Sequence, residues 1–180
     1  MTEEIRLSRL KRPEKFPINM ILDTDTYNEV DDQFALAYCA LKKDKINLIA
    51  AYAAPFLNHR STGAGDGMEK SYNEIGKVLA ETDSSIPYYR GSKNFLKDEK
   101  TPEDSEAARD LIKRAMSLPE GEFLYVGAIG CITNIASAIL IEPQIIDKVV
   151  LVWLGGNTFW WGDAQEFNMG QDIAASRVVL

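Results

Sequence analysis

The sequence predicts an α/β fold, a largely parallel sheet flanked by helices. Three observations carry that prediction. Five short runs read as strands, and each is continuously apolar, the mark of a strand covered on both faces. Helical patterns separate them at the spacing of crossover connections. Between the first strand and the first helix stands a knot of carboxylates, Asp23, Asp25, Glu29, Asp31 and Asp32, where sheets of this kind place ligands.

Taken in order, residues 1–17 mix Arg6, Arg9, Lys11, Arg12 and Lys15 with acids and read as a solvated leader or arm. Residues 18–180 read as one α/β domain. Its first strand is 18–22, and the helix that follows has Asp31 placed to cap it and Phe34, Ala35, Tyr38 and Leu41 on one face. Residues 46–54 form a second strand, stopped by Pro55 and followed by a Gly-rich polar loop. A helix over about 68–81 buries Ile75, Val78 and Leu79. Residues 86–90 give a short third strand, and a charged exposed segment follows. Ala108, Leu111, Ile112 and Ala115 define a helix over 105–118. The fourth strand is 123–128, the next helix 135–141 ends before Pro143, and the fifth strand opens at 149. Residues 172–180 start a helix and stop on Val178, Val179 and Leu180 with no Gly cap and no following strand. The domain is therefore expected to be truncated at its C-terminus.

Bulk properties narrow the function. A chain of 180 residues with 46% hydrophobic and 26% charged residues can bury one substantial core. A net charge of −7 argues against nucleic-acid binding, because phosphate backbones reward clustered Lys and Arg. No run is long enough to span a membrane, and no apolar signal core is present. Cys39 and Cys131 match no ligand motif and are expected as buried free thiols, which suits a reducing cytoplasm.

The acid knot carries the chemistry. Carboxylates packed at a strand end repel one another and resist desolvation, so a positive group is expected among them. A helix N-terminus contributes only about 0.3–1 kcal/mol per anion, too little for four or five. Oxygen-only ligands favour a hard divalent cation. The plainer reading makes these acids solvated caps and turns.

Three stretches resemble the inosine–uridine-preferring nucleoside hydrolases: ILDTDTYNEVDDQFALA, VGAIGCITNIASAILIEP, and LGGN followed by AQEFNMGQDIAA. The resemblance implies a nucleoside hydrolase-like, open Rossmann-like fold that hydrolyses the N-ribosidic bond of ribonucleosides with bound Ca2+. It implies Asp25 as general base and metal ligand, Asp32 as a second ligand, Thr133 as a carbonyl ligand and Asp23 as support. Asp31, Asn58, Glu166 and Asn168 would bind ribose hydroxyls. A cytoplasmic homo-oligomer acting on a small nucleoside, with no nucleic acid or membrane partner, completes the expectation. The sequence departs from the pattern in a wider Asp25–Asp31 spacing and in lacking the family's last metal-binding Asp and active-site His. Weak activity, or a non-catalytic ribose- and calcium-binding fragment or subunit, is the alternative this raises. Local readings compete as well: Thr133 and Asn134 as helix caps, Glu166 and Asn168 as turn polars, Trp160 and Trp161 as a stacking pair or a lid. His59, the only histidine, stands next to Asn58 and could face the site as an acid. ILDTDT also fits the opening of haloacid-dehalogenase-like phosphatases, with Asp23 as nucleophile and Asp25 as acid/base over magnesium.

Overall fold

The structure, a computed structural model, describes residues 2–163 and 165–180. Strands β1 (Ile18–Thr24), β2 (Ile46–Ala53), β3 (Tyr88–Arg90), β4 (Leu124–Ala128) and β5 (Val149–Trp153) form one sheet in the order β3-β2-β1-β4-β5. Every pairing is parallel. The helices are α1 (Glu3–Arg9), α2 (Val30–Leu41), α3 (Ala64–Glu81), α4 (Glu106–Met116), α5 (Thr133–Ile141), α6 (Phe167–Gln171) and α7 (Ile173–Val179). A 3-10 turn, Pro143–Asp147, follows α5 where the proline stops it.

The continuous apolar strands serve two cores, one on each face of the sheet. Ile21 points into a cluster with Tyr52, Leu111, Val126, Ile135 and Ile145. Its neighbour Leu22 points the other way, into Leu36, Leu48, Met68, Ile75 and Leu79. A strand with both faces buried has no polar alternation to show, which is why β1, β2 and β4 read so plainly. Strand order reverses between β1 and β4, so the loops leaving them diverge and open a crevice at their carboxyl ends.

Two expectations about α2 fail. Glu29, not Asp31, occupies the N-cap, and its side chain makes no capping bond. Asp31 lies exposed in the first turn. The face holding Phe34, Tyr38 and Leu41 is the exposed one, and the helix buries Asp32, Leu36, Cys39 and Ala40. Apolar residues occur on both sides of this helix, so periodicity alone could not choose between them. The buried face is the one that packs Leu36, Cys39 and Ala40 into the core, and Asp32 lies on that side.

Helix α3 starts four residues earlier than its apolar spacing suggests. Gly65 and Gly67 lower the helical propensity of its first turn. Gly67 is needed for close approach: a Cβ there would collide with the Phe56 carbonyl oxygen.

The arm expected over residues 1–17 contains α1, which buries no residue. Its guanidinium at Arg9 ties it to the body, donating to the Asp147 carbonyl at 2.7 Å and lying over the Phe123 ring. Among the described residues no helix is long and apolar enough to cross a membrane.

Candidate active site

The crevice between β1 and β4 contains a cleft of about 130 Å³ lined by Asp25, Asn28, Asp31, Asp32, Glu166 and Asn168, with Glu29, Ile129, Leu154 and Phe167 completing the wall. Six of the residues singled out in the sequence thus meet in one place, though they span 144 positions of chain from Asp25 to Asn168. The cleft falls below the roughly 300–1,000 Å³ of whole-ligand pockets, so it suits a sugar-sized group with the rest of a ligand outside.

Its floor is made of buried acids. Asp25 is 1% exposed and Asp23 not exposed at all, while Asp32 is 6% exposed. Burial pushes the Asp25 carboxyl up to about 8, reinforced by the charge of Asp32. Burial likewise raises Asp32 to about 7, against a hydrogen bond from the Thr24 hydroxyl that favours its charged form. Asp23 rises to about 7, again chiefly through burial. Among the described residues no Lys, Arg or His lines the cleft.

Asp23 sits beneath the cleft. Asn134 donates to its Oδ2 at 2.8 Å, and its Oδ1 is a buried oxygen without a hydrogen bond among the described residues. Asn134 is the pin of this layer. Its Nδ2 also reaches the Ala53 carbonyl at 3.2 Å, and its Oδ1 accepts from the Ser92 N–H at 2.8 Å. Gly91 makes room for it, since a Cβ at that position would strike both the Ala53 carbonyl and the Asn134 amide. Neither Thr133 nor Asn134 caps α5, whose N-cap is Ile132. The Thr133 hydroxyl instead donates at 2.7 Å to Asp172, a buried carboxylate that also accepts from Leu96 N and Ala175 N. Thr133 is fully buried and is not part of the cleft wall.

The far wall comes from the loop after β5 and from α6. Glu166 caps α6, accepting from Asn168 N and Met169 N at 2.9 Å each, and it holds Gly156 N at 2.7 Å. Asn168 donates through Nδ2 to the Ile129 and Leu154 carbonyls, both at 3.0 Å, and so bridges the loops after β4 and β5. Both residues therefore build the wall as well as line it.

Asn58 stands next to the cleft rather than in it. Its amide is engaged by Asn28 at 2.7 Å and by Arg60 N at 2.9 Å. His59 is exposed and absent from the lining. Trp160 and Trp161 are 84% and 63% exposed, on a loop whose neck Asn157 closes through the Asp163 and Gln165 carbonyls. Both cysteines are free and buried, and burial pushes each thiol up, which disfavours the thiolate of either.

Sequence reasoning missed Asn28, Asn134 and Asp172 as structural members of the site. Asn28 was visible as an amide inside the acid run, and Asp172 as the polar residue opening the last helix.

A profile of the inosine-uridine preferring nucleoside hydrolases matches residues 20–180. The chain belongs to that family. Comparison with curated proteins finds no match. Among solved nucleoside hydrolases, an inosine-guanosine enzyme aligns with TM-score 0.71 at 21% identity, over 91% of this chain and 58% of its own. A plant nucleoside hydrolase aligns with TM-score 0.65 at 21% identity, over 91% and 57%. The purine-preferring ribonucleoside hydrolase from Gardnerella vaginalis aligns with TM-score 0.63 at 23% identity, over 89% and 57%. At these identities the likeness establishes the nucleoside hydrolase fold, and the chain spans less than three fifths of each of these structures.

No group of three or more His, Cys, Asp or Glu side chains able to hold a metal ion occurs among the described residues. The donor set implied by the family contains two carboxylates, Asp25 and Asp32, with the third oxygen from a main chain. It fits a hard cation in kind: Asp23 Oδ1 is buried without a hydrogen bond among the described residues, and burial raises Asp25 and Asp32, as expected of acids with no cation beside them. Calcium takes six to eight oxygens, more than this donor set supplies.

Proposed function

We propose that the chain hydrolyses the N-ribosidic bond of ribonucleosides, giving ribose and free base. The observation that carries the reading is Asp25, almost wholly buried yet lining a sugar-sized cleft together with Asp31, Asp32, Glu166 and Asn168. Asp25 takes the proton of the attacking water, and Asp31, Glu166 and Asn168 hold the ribose hydroxyls so that the anomeric carbon faces that water. Carboxylates around the ring also favour the oxocarbenium-like charge that develops as the base departs. Calcium, held by Asp25, Asp32 and the Thr133 carbonyl, would lower the pKa of the water and order the ribose. Asp23 and Asn134 support Asp25 from below. The same reading has the chain associate with copies of itself, supported by the exposed apolar row Val30, Phe34, Tyr38 and Leu41 on α2.

A haloacid-dehalogenase-like reaction needs Asp23 to meet its substrate. Asp23 is closed off beneath the cleft, so that reading has no support. A ribose- and calcium-binding role without turnover is the second reading. It is favoured by the position of His59, which is exposed and lies outside the lining of the cleft among the described residues, away from where a departing base would take its proton.

The metal half of the proposal is tested by thermal unfolding with and without calcium. A ligand that binds only the folded chain at a hundredfold excess over its Kd stabilises by about 2.7 kcal/mol. Calcium should raise Tm in the parent and fail to do so in Asp25→Asn and Asp32→Asn. An equal rise in all three would move the ion elsewhere.

A further inference from the structure

We propose that Asn28 and Asn58 are positioning residues: a directed run of side-chain amides, starting at the loop after β2, sets the orientation of the Asp25 carboxylate in the cleft. The proposal rests on the role given to Asp25 above.

The direction of the run is fixed at one end. The backbone N–H of Arg60 can only donate, and it donates to Asn58 Oδ1 at 2.9 Å. Asn58 therefore turns Nδ2 toward Asn28, whose Oδ1 accepts at 2.7 Å. That leaves the Asn28 Nδ2 facing Asp25, and it donates to Oδ2 at 2.9 Å. Each amide orientation follows from a main-chain donor, so the run has one polarity. Asn28 is 4% exposed, and water cannot readily replace its bond to Asp25. Its backbone N–H also closes a turn on the Asp25 carbonyl at 2.6 Å.

The two loops are clamped a second time beside this run. The Arg60 guanidinium lies 5.0 Å from the centre of the Tyr27 ring. Lys70 holds the Arg60 carbonyl at 2.8 Å and lies 5.9 Å from the same ring. The segment after Asp25 and the loop at Asn58 thus form one unit, in which Asn58 acts on Asp25 without touching it. With Oδ2 engaged, Asp25 keeps Oδ1 for the reacting water. Groups that orient a reacting carboxylate or metal ligand in this way typically account for about 10–100-fold in activity.

The test reads the 13Cγ signal of Asp25 in the metal-free protein at fixed pH. In Asn58→Ala the signal should move in the same direction as in Asn28→Ala, and the double variant should move no further than Asn28→Ala. An Asp25 signal unmoved by Asn58→Ala overturns the proposal, and that variant decides alone if Asn28→Ala fails to fold. In turnover of p-nitrophenyl riboside, Asn58→Ala should lower kcat about 10–100-fold with KM retained. A raised KM with kcat retained would make Asn58 a ribose contact and overturn its positioning role. If the parent shows no calcium-dependent turnover, the role given to Asp25 fails, while the carboxyl signal still decides whether the run of amides sets its orientation.

Discussion

Asn134 illustrates how single residues hold this site. Its one amide joins the ends of β1 and β2 to the turn after β3, through Asp23, Ala53 and Ser92. Removing it strands a buried carboxylate, a carbonyl and an N–H together, at about 1–3 kcal/mol for each group left unpaired. Asn134→Ala is therefore expected to lose about 3 kcal/mol or more of stability, read as the midpoint of urea unfolding. The buried acids act in the opposite sense. Asp23, Asp25 and Asp32 have ordinary carboxyl values near 3.8 when unfolded and about 7, 8 and 7 when folded. Between about pH 4 and pH 8 the folded chain holds protons that the unfolded chain has released, so rising pH weakens the metal-free fold. Exposed acids drawn down by neighbouring cations, such as Asp66 beside Lys70 and Asp104 beside Arg109, contribute the reverse slope at lower pH. Chelated protein should show a falling Tm over the upper part of that window, and calcium should flatten the fall. A Tm rising steadily from about pH 5 to pH 8 in chelator would contradict the burial of these acids.

At the scale of elements, legibility followed how many environments a segment serves. β1, β2 and β4 each answer to one requirement, burial within a sheet, and their apolar runs, like that of the edge strand β5, located them to within a residue or two at their starts. Helix α2 answers to two. It covers the sheet and presents Asp32 to the cleft, and its outer row of Val30, Phe34, Tyr38 and Leu41 looks in sequence like a core face. Helix α3 hid its first turn because Gly67 is there for contact with Phe56 rather than for helix formation. Gly67→Ala should accordingly destabilise the protein by about 1–3 kcal/mol, the usual cost of overpacking, although alanine favours helices. Thermal unfolding checks it: a rise in Tm would mean that propensity, not contact, governs this turn. The acids were visible as a set, because carboxylates crowded at a strand end repel one another and so call for a ligand among them. The amides around them were legible only in part: Asn58 stood out as a ribose contact, while Asn28 and Asn134 look like ordinary turn and cap residues until the fold joins segments as much as 111 positions apart.

For the whole molecule, the order β3-β2-β1-β4-β5 determines where chemistry can occur. The crevice at the reversal gathers the acid run after β1 and the wall around Glu166 and Asn168 into one cleft. A separate apolar groove of about 200 Å³ lies along β5, lined by residues such as Leu111, Ile135, Ile145, Val149 and Leu151. Among the described residues it is lined by no titratable group, and β5 is one of the two edges of the sheet. Exposed edges invite pairing, and Val152 at 61% exposure adds an apolar side chain to this one. Carboxylates, by contrast, gather at the crevice, and we propose that they perform ribosyl hydrolysis. Turnover of p-nitrophenyl riboside tests it most directly, because nitrophenolate leaves without protonation and so isolates the water-activating carboxylates from any acid. Cleavage in calcium that a chelator stops, and that Asp25→Asn reduces by at least about a hundredfold, the scale of positioned acid–base catalysis, is the predicted result. No cleavage in calcium, or cleavage that persists in both chelator and Asp25→Asn, would contradict it.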